Sequence, residues 1–200
     1  MPSAIKLDKK KLELALAKPI EKASLPIARE IVKNKFNDNL NNFMETLQND
    51  PLSQELIKEN KVENSAFITG EGVSKYGSNV YSFFGFNSGE SNPVKTLINL
   101  IKKSFKVNLN TRLVNGNYIF KLNIPSEAEI KAESPLPWTR RSWITAAERG
   151  ITNVINYIRV LKKGRSKGGI QIKGEIEKEY SPQKNYFGKK YRDFLNSFKK

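Results

Sequence analysis

The chain lacks cysteine and histidine, the two residue types that most often carry nucleophilic and metal chemistry. Without cysteine there is no disulfide and no thiolate metal site, and without histidine nearly all zinc sites and the common nucleophile–base pairs are excluded. The carboxylates that remain as candidates for acid–base work form no recognisable constellation with a second catalytic residue type; they are Glu127, Glu129, Glu133 and Glu148. We therefore expect no enzymatic activity, no bound metal and no cofactor.

Long apolar runs are also missing. No stretch approaches the length of a membrane span, and the first residues show no apolar region of the signal-peptide type. These two observations predict a cytosolic, nonsecreted protein without a membrane partner.

Negative charge is scarce in the last third of the chain. Residues 134–200 carry sixteen Lys and Arg against five Asp and Glu, which is +11 of the total net charge of +15. A basic field of this size favours a polyanionic neighbour, either DNA or an acidic face of another protein. The net charge alone does not distinguish DNA from an acidic protein as the partner.

The N-terminal third is predicted to be helical. We expect a basic arm and a short helix in residues 1–23, ended or kinked by Pro19, and then a single α+β domain in residues 24–200. That domain would begin with Ser24 as N-cap of a long amphipathic helix to about residue 48. The apolar stripe of this helix contains Ile27, Ile31, Leu40, Phe43 and Leu47. The stripe packs on the core of the chain or, alternatively, against a neighbouring copy.

A long irregular segment rich in glycine and aromatic residues occupies residues 60–91. Irregular loops of this length inside a compact domain more often have a function than not. Phe83, Phe84 and Phe86 are therefore candidates for contact with another subunit. The alternative is that they fold back onto the core.

The middle of the chain carries the clearest local signals. Asp50-Pro51 predicts a short helix, Asn92-Pro93 begins an amphipathic helix, and Asn115-Gly116 joins two alternating strands in a hairpin at 106–114 and 118–124. Two more strands are expected at 151–161 and from Ile170, followed by a terminal helix. The predicted fold class is α+β, with a small antiparallel sheet of about four strands, helices packed on one face and the long N-terminal amphipathic helix before them.

Both tryptophans lie in one short stretch, Trp138 and Trp143, predicted to be helical and to end at Gly150. We expect the two tryptophans to pack this helix on the sheet. The alternative is that they stack on nucleic-acid bases. Because arginine and tryptophan are enriched where proteins bind proteins, Trp138, Arg140, Arg141 and Trp143 are also candidates for a subunit interface.

A basic glycine-rich turn follows at residues 162–169. It lacks the GxxxxGK[ST] spacing of a phosphate-binding loop and precedes a strand, so we expect a hairpin tip. Its basic side chains are candidates for contact with DNA in a lumen or with an acidic partner, unless the tip is simply solvated; they are Lys162, Lys163, Arg165 and Lys167.

The order of these features resembles the neck and tail-completion proteins of tailed bacteriophages. The resemblance extends loosely over residues 27–198 and is most specific at 136–170. In the specific part it is carried by Leu136-Pro137-Trp138, Gly150, Tyr157, Gly164-Arg165-Ser166 and Gly168-Gly169-Ile170; elsewhere it is carried by Asp50-Pro51 through Leu56, Gly70 and Gly72, and by Tyr186-Phe187 and Phe194-Leu195.

The resemblance implies a virion structural subunit at the head–tail junction, made in the cytoplasm of a bacterial host. Such subunits form sixfold or twelvefold rings around the DNA channel and join the capsid to the tail. The implied partners are copies of the chain, other neck, portal or tail proteins, and genomic DNA in the channel. A non-enzymatic, basic nucleic-acid-binding protein is the alternative function.

Overall fold

The computed structural model describes residues 9–61, 65–69, 79–87, 89, 91–114, 117–149, 179–180 and 182–199. Over these residues the fold is α+β, with helices and three two-stranded antiparallel sheets. The chain separates into two compact units, the first within Met1–Leu40 and Phe105–Ile124 and the second within Asn41–Ser104 and Pro125–Lys200.

The first unit combines most of helix α1 with a β-hairpin. Helix α1 covers Lys9–Gln48, and the hairpin consists of β2, Lys106–Val114, and β3, Asn117–Asn123. The strands pair antiparallel, with Val107 opposite Leu122 and Val114 opposite Asn117. The hairpin predicted from the alternating pattern is therefore confirmed.

Helix α1 is continuous through Pro19 and Pro26. A proline inside a helix removes a hydrogen bond and costs about 3 kcal/mol relative to alanine. Contacts with the hairpin flank Pro26: the Ser24 hydroxyl lies 2.8 Å from the Tyr118 hydroxyl, and Arg29 Nε donates to the Leu109 carbonyl at 3.2 Å. These contacts help to hold the helix across Pro26. Because the helix continues from Pro19 past Ser24, the predictions that Pro19 ends a short helix and that Ser24 is the N-cap of a second one are wrong.

The second unit is mainly helical. Its first helices are α2, Pro51–Lys58, then a 3₁₀ turn at Glu59–Lys61, and α3, Val80–Phe83. Helix α4 follows at Pro93–Ser104. Asp50 accepts a hydrogen bond from the Leu52 N–H, and Asn92 accepts one from the Val94 N–H, so the predicted starts of α2 and α4 are confirmed.

The tryptophan stretch folds differently from its prediction. The connector before it contains α5, Glu127–Ala132, and a small hairpin of β4, Pro135–Leu136, and β5, Thr139–Ser142. Helix α6 then covers Trp143–Arg149. Trp138 lies in the turn between β4 and β5, so the prediction that the helix starts there is wrong.

The terminal helix α7 covers Gly188–Asn196, and the short strands β1, Ile68–Thr69, and β6, Glu179–Tyr180, pair antiparallel. Phe43 stacks on Phe194 of α7 with ring centroids 5.0 Å apart, and the Phe187 ring packs edge-on to Phe43. The C-terminal segment is therefore part of the core of the second unit. The strands predicted at 151–161 and from Ile170 lie outside the described residues, and a sheet of four strands is not confirmed.

None of the helices, over the residues that the structure describes, is long and apolar enough to cross a membrane.

Candidate assembly surfaces

The first unit exposes large apolar side chains. Ile27 and Ile31 on α1 are 60% and 61% exposed, and Ile119 on β3 is 54% exposed. Ile27 and Ile31 are four residues apart and therefore lie on the same face of the helix. We call this pair the isoleucine patch.

The isoleucine patch lies on the side of α1 opposite the buried Phe36. Phe36, on the same helix, is buried at 4% exposure, and Val32 is half-buried. Nine residues separate Ile27 from Phe36, which is about 180° around a helix of about 3.6 residues per turn. The predicted apolar stripe is thus divided: Leu40, Phe43 and Leu47 are buried, whereas the isoleucine patch is open to solvent.

Ile119 forms a second exposed position, on the outer face of the hairpin. Along β3 the side chains alternate between exposed and half-buried, and the half-buried Tyr118 contacts Ser24 of α1. Because successive strand residues point to opposite faces, Ile119 points away from α1. The first unit therefore has apolar surface on two different sides.

The aromatic residues predicted to meet another subunit have different positions in the second unit. Phe84 is fully buried, Phe86 is 9% exposed and Trp143 is 2% exposed. Trp143 packs against Tyr186 with ring centroids 5.7 Å apart. Phe86 packs against Tyr81 of α3 with ring centroids 5.4 Å apart. All three side chains are therefore buried in the second unit, which is what the alternative of packing on the core predicts.

Phe83, Trp138, Arg140 and Arg141 retain accessible surface. Phe83 and Trp138 are half-buried, and both arginines of β5 are exposed. Of the residues predicted to contact another subunit, these four therefore have surface that a partner can reach, and the subunit interface itself stays a prediction. The basic turn with Lys162, Lys163, Arg165 and Lys167 lies outside the described residues.

Trp138 is fixed by the backbone of the predicted aromatic loop. Its indole Nε1 donates to the Phe84 carbonyl at 3.0 Å. Gly85 has φ +82°, and a Cβ placed there would lie 2.6 Å from Trp138 Cδ1. Glycine is required at this position because it permits both the positive φ and the close approach of the indole.

An ion-pair cluster joins α5, α6 and the start of α7. Lys131 Nζ lies 2.6 Å from a carboxylate oxygen of Glu127 and 2.6 Å from one of Glu148. The other oxygen of Glu148 accepts hydrogen bonds from the N–H groups of Phe187 and Gly188 at 3.0 and 2.8 Å. We call these three charged side chains the Glu148 cluster. It anchors the C-terminal segment on the rest of the second unit.

The contacts within the cluster shift the pKa of Glu148 and of Lys131. Burial alone would raise the pKa of Glu148, but the hydrogen bonds from Lys131 and from the Gly188 and Phe187 N–H groups outweigh it and lower that pKa. Burial alone would lower the pKa of Lys131, but its hydrogen bonds to Glu127 and Glu148 outweigh burial and raise that pKa. Both groups are therefore held in their charged forms.

The other two candidate carboxylates, Glu129 and Glu133, do not form a catalytic site with this cluster. Glu129 caps α5, and hydrogen bonds from the Ser126 backbone and hydroxyl lower its pKa. Glu133 is exposed at the end of α5. Within the described ranges, no group of three or more acidic side chains is arranged to hold a metal ion.

An open groove of about 490 Å³ lies on the second unit. Its walls include Pro93, Pro135 and Pro137, and Trp143 lies against it. The segment before α6, with Pro135 and Pro137, therefore contributes a concave surface next to the buried Trp143.

The chain matches no protein-family model, no curated protein and no solved structure. The resemblance to phage neck and tail-completion proteins therefore stays a prediction.

Proposed function

We propose that the chain is a structural subunit of a tailed-phage head–tail connector, a neck or tail-completion ring that joins capsid and tail around the DNA channel. The observation that carries the proposal is the isoleucine patch, with both side chains at least 60% exposed. Exposed apolar side chains that lie together mark a surface that a partner covers.

The positions of the exposed isoleucines favour a ring over a twofold dimer. A ring uses a heterologous interface, in which one surface of a subunit meets a different surface of the next. The isoleucine patch and Ile119 lie on different sides of the first unit, one on α1 and one on the outer face of the hairpin. Two apolar surfaces of this kind are what each subunit of a ring needs.

The described parts of the resemblance also support the proposal. Leu136, Tyr186, Phe187 and Phe194 are all buried in the second unit. These four residues are therefore core residues of the second unit, although they are up to about sixty residues apart in the sequence. The finer prediction of one four-stranded sheet, completed by strands at 151–161 and from Ile170, is part of this proposal.

Light scattering after size exclusion tests the proposal. We expect the full chain to form a species with six or twelve times the chain mass of 22.8 kDa. A variant with Ile27→Ser and Ile31→Ser should shift to the monomer while keeping its helical circular dichroism, because both side chains are exposed. The matched control carries Lys33→Ser and Asn37→Ser, two exposed positions on another side of α1, and should assemble like the wild type.

The alternative function is a basic, non-enzymatic nucleic-acid-binding protein, and the lysines on the exposed face of α4 favour it. A monomer that binds DNA tightly, with strong dependence on salt, would support the alternative and contradict the connector. Recovery of the chain in purified virions would support the connector.

A further inference from the structure

The exposed face of α4 is basic. Lys95, Asn99, Lys102 and Lys103 are all exposed. The opposite face is buried in the second unit; it consists of Val94, Leu97, Ile98 and Ile101. The lysines therefore share one side of a helix whose orientation is fixed by its buried side.

No acidic residue offsets these lysines along the chain. From Ser91 to Ser126 the sequence contains no Asp and no Glu. Among the described side chains, the ion pairs involve Lys131 and Lys190 and none of the three lysines of α4. The positive charge of this face is therefore available to an anionic partner.

The position of Lys95 is not explained by the helix itself. Lys102 and Lys103 lie in the last turn of α4, where the helix dipole favours positive charge. Lys95 lies in the first turn, where the same dipole disfavours it, and that turn has no acidic residue. A residue that breaks a local preference in this way is expected where function requires it.

We propose that the lysine face of α4, formed by Lys95, Lys102 and Lys103, binds the phosphate backbone of double-stranded DNA. Lys95 and Lys103 are about 12 Å apart along the helix axis, at about 1.5 Å per residue. The major groove of DNA is about 12 Å wide, so lysines at the two ends of the face can reach phosphates on both sides of a groove. Lysine contacts with phosphates position a protein without reading bases, so binding is independent of sequence.

The inference rests on the proposed function in one respect, namely that DNA lies within reach of the assembled chain. The observations on α4 are otherwise independent of the isoleucine patch, which belongs to the first unit.

Fluorescence anisotropy with labelled DNA duplexes tests the inference on the full chain. The variant carries Lys95→Gln, Lys102→Gln and Lys103→Gln. Each lost phosphate contact should reduce the slope of log affinity against log salt by about 0.9, or about 2.7 for three. Between about 50 and 200 mM salt, the variant should lose about 40-fold less affinity than the wild type. Two duplexes of unrelated sequence should give the same values.

Two further variants control for folding and for net charge. Replacing the same three lysines with arginine should preserve binding, because the charges remain. Lys58→Gln, Lys61→Gln and Lys189→Gln together remove the same charge from exposed positions elsewhere in the second unit and should leave most of the salt slope unchanged.

Three results would overturn the inference: no binding of DNA by the wild type, an equal loss in the control variant, or tighter binding of polyglutamate than of DNA at equal charge. The last result would favour an acidic protein as the partner. A chain that forms rings and does not bind DNA would contradict this inference alone. A monomer that binds DNA through α4 would contradict the proposed function alone.

Discussion

Replacing Glu148 should loosen the C-terminal segment of the second unit. In the fold, one carboxylate oxygen of Glu148 accepts hydrogen bonds from the N–H groups of Phe187 and Gly188, and the other forms an ion pair with Lys131. The side chain of Glu148 is 9% exposed, so water reaches it poorly. Glu148→Ala leaves both N–H donors without their acceptor and leaves Lys131 with Glu127 alone.

The magnitude follows from these contacts. A buried donor left unpaired costs about 1–3 kcal/mol, and breaking a buried ion pair costs about 3–5 kcal/mol. Because Lys131 keeps its second carboxylate, we expect Glu148→Ala to lower the free energy of unfolding by about 2–5 kcal/mol. Glu148→Gln keeps an acceptor for the two N–H groups and loses the charge, so its cost should be about 1–2 kcal/mol.

The effect should depend on pH. The pKa of Glu148 is lowered in the fold, so the unfolded chain binds more protons as the pH falls. The contribution of Glu148 is therefore present above the usual titration range of glutamate and is lost as the pH falls through its lowered pKa. The difference between the wild type and Glu148→Gln should thus be full at neutral pH and shrink in acid. Lys131, whose pKa is raised, loses its contribution only at strongly alkaline pH.

Urea unfolding followed by tryptophan fluorescence measures these changes, because Trp143 is buried against Tyr186 in the same unit. Glu45→Gln, at an exposed position of α1, serves as the control and should change stability by less than about 0.5 kcal/mol. If Glu148→Ala were as stable as this control, the cluster would not anchor the C-terminal segment and the reasoning would be refuted.

Two further predictions concern packing in the second unit. Gly85→Ala should cost about 1–3 kcal/mol more than Gly89→Ala in urea unfolding, since both have positive φ but only Gly85 meets Trp138; equal losses would contradict the contact. Ser53→Ala and Tyr186→Phe should show a coupling of about 0.5–1.5 kcal/mol in a double-mutant cycle, because their hydroxyls lie 2.7 Å apart and are buried. Additive losses would contradict that bond.

Local sequence signals predicted the elements whose ends are fixed by nearby residues. Asn92 caps α4 through its own side chain, and Asp50 does the same for α2. The β2–β3 hairpin follows from the alternating residues on either side of Asn115-Gly116. Helix α5 could have been found in the same way, because Ser126 and Glu129 form a capping box with its characteristic spacing.

The features that local signals did not predict depend on contacts between distant parts of the chain. The continuity of α1 past Pro26 is favoured by Tyr118 and Leu109, more than eighty residues away. Nothing near Glu148 in the sequence indicates that one of its carboxylate oxygens accepts hydrogen bonds from the N–H groups of Phe187 and Gly188, about forty residues later. The amphipathic pattern of α1 likewise does not distinguish the buried Phe36 from the exposed Ile27.

The central claim is that copies of this chain form a closed ring. Electron microscopy of the purified full chain tests it most directly, by the rotational symmetry of class averages. We predict closed rings of six or twelve subunits with an open central channel, and their loss in the variant that carries Ile27→Ser and Ile31→Ser. Monomers or twofold dimers without a channel, unchanged by the two substitutions, would contradict the account.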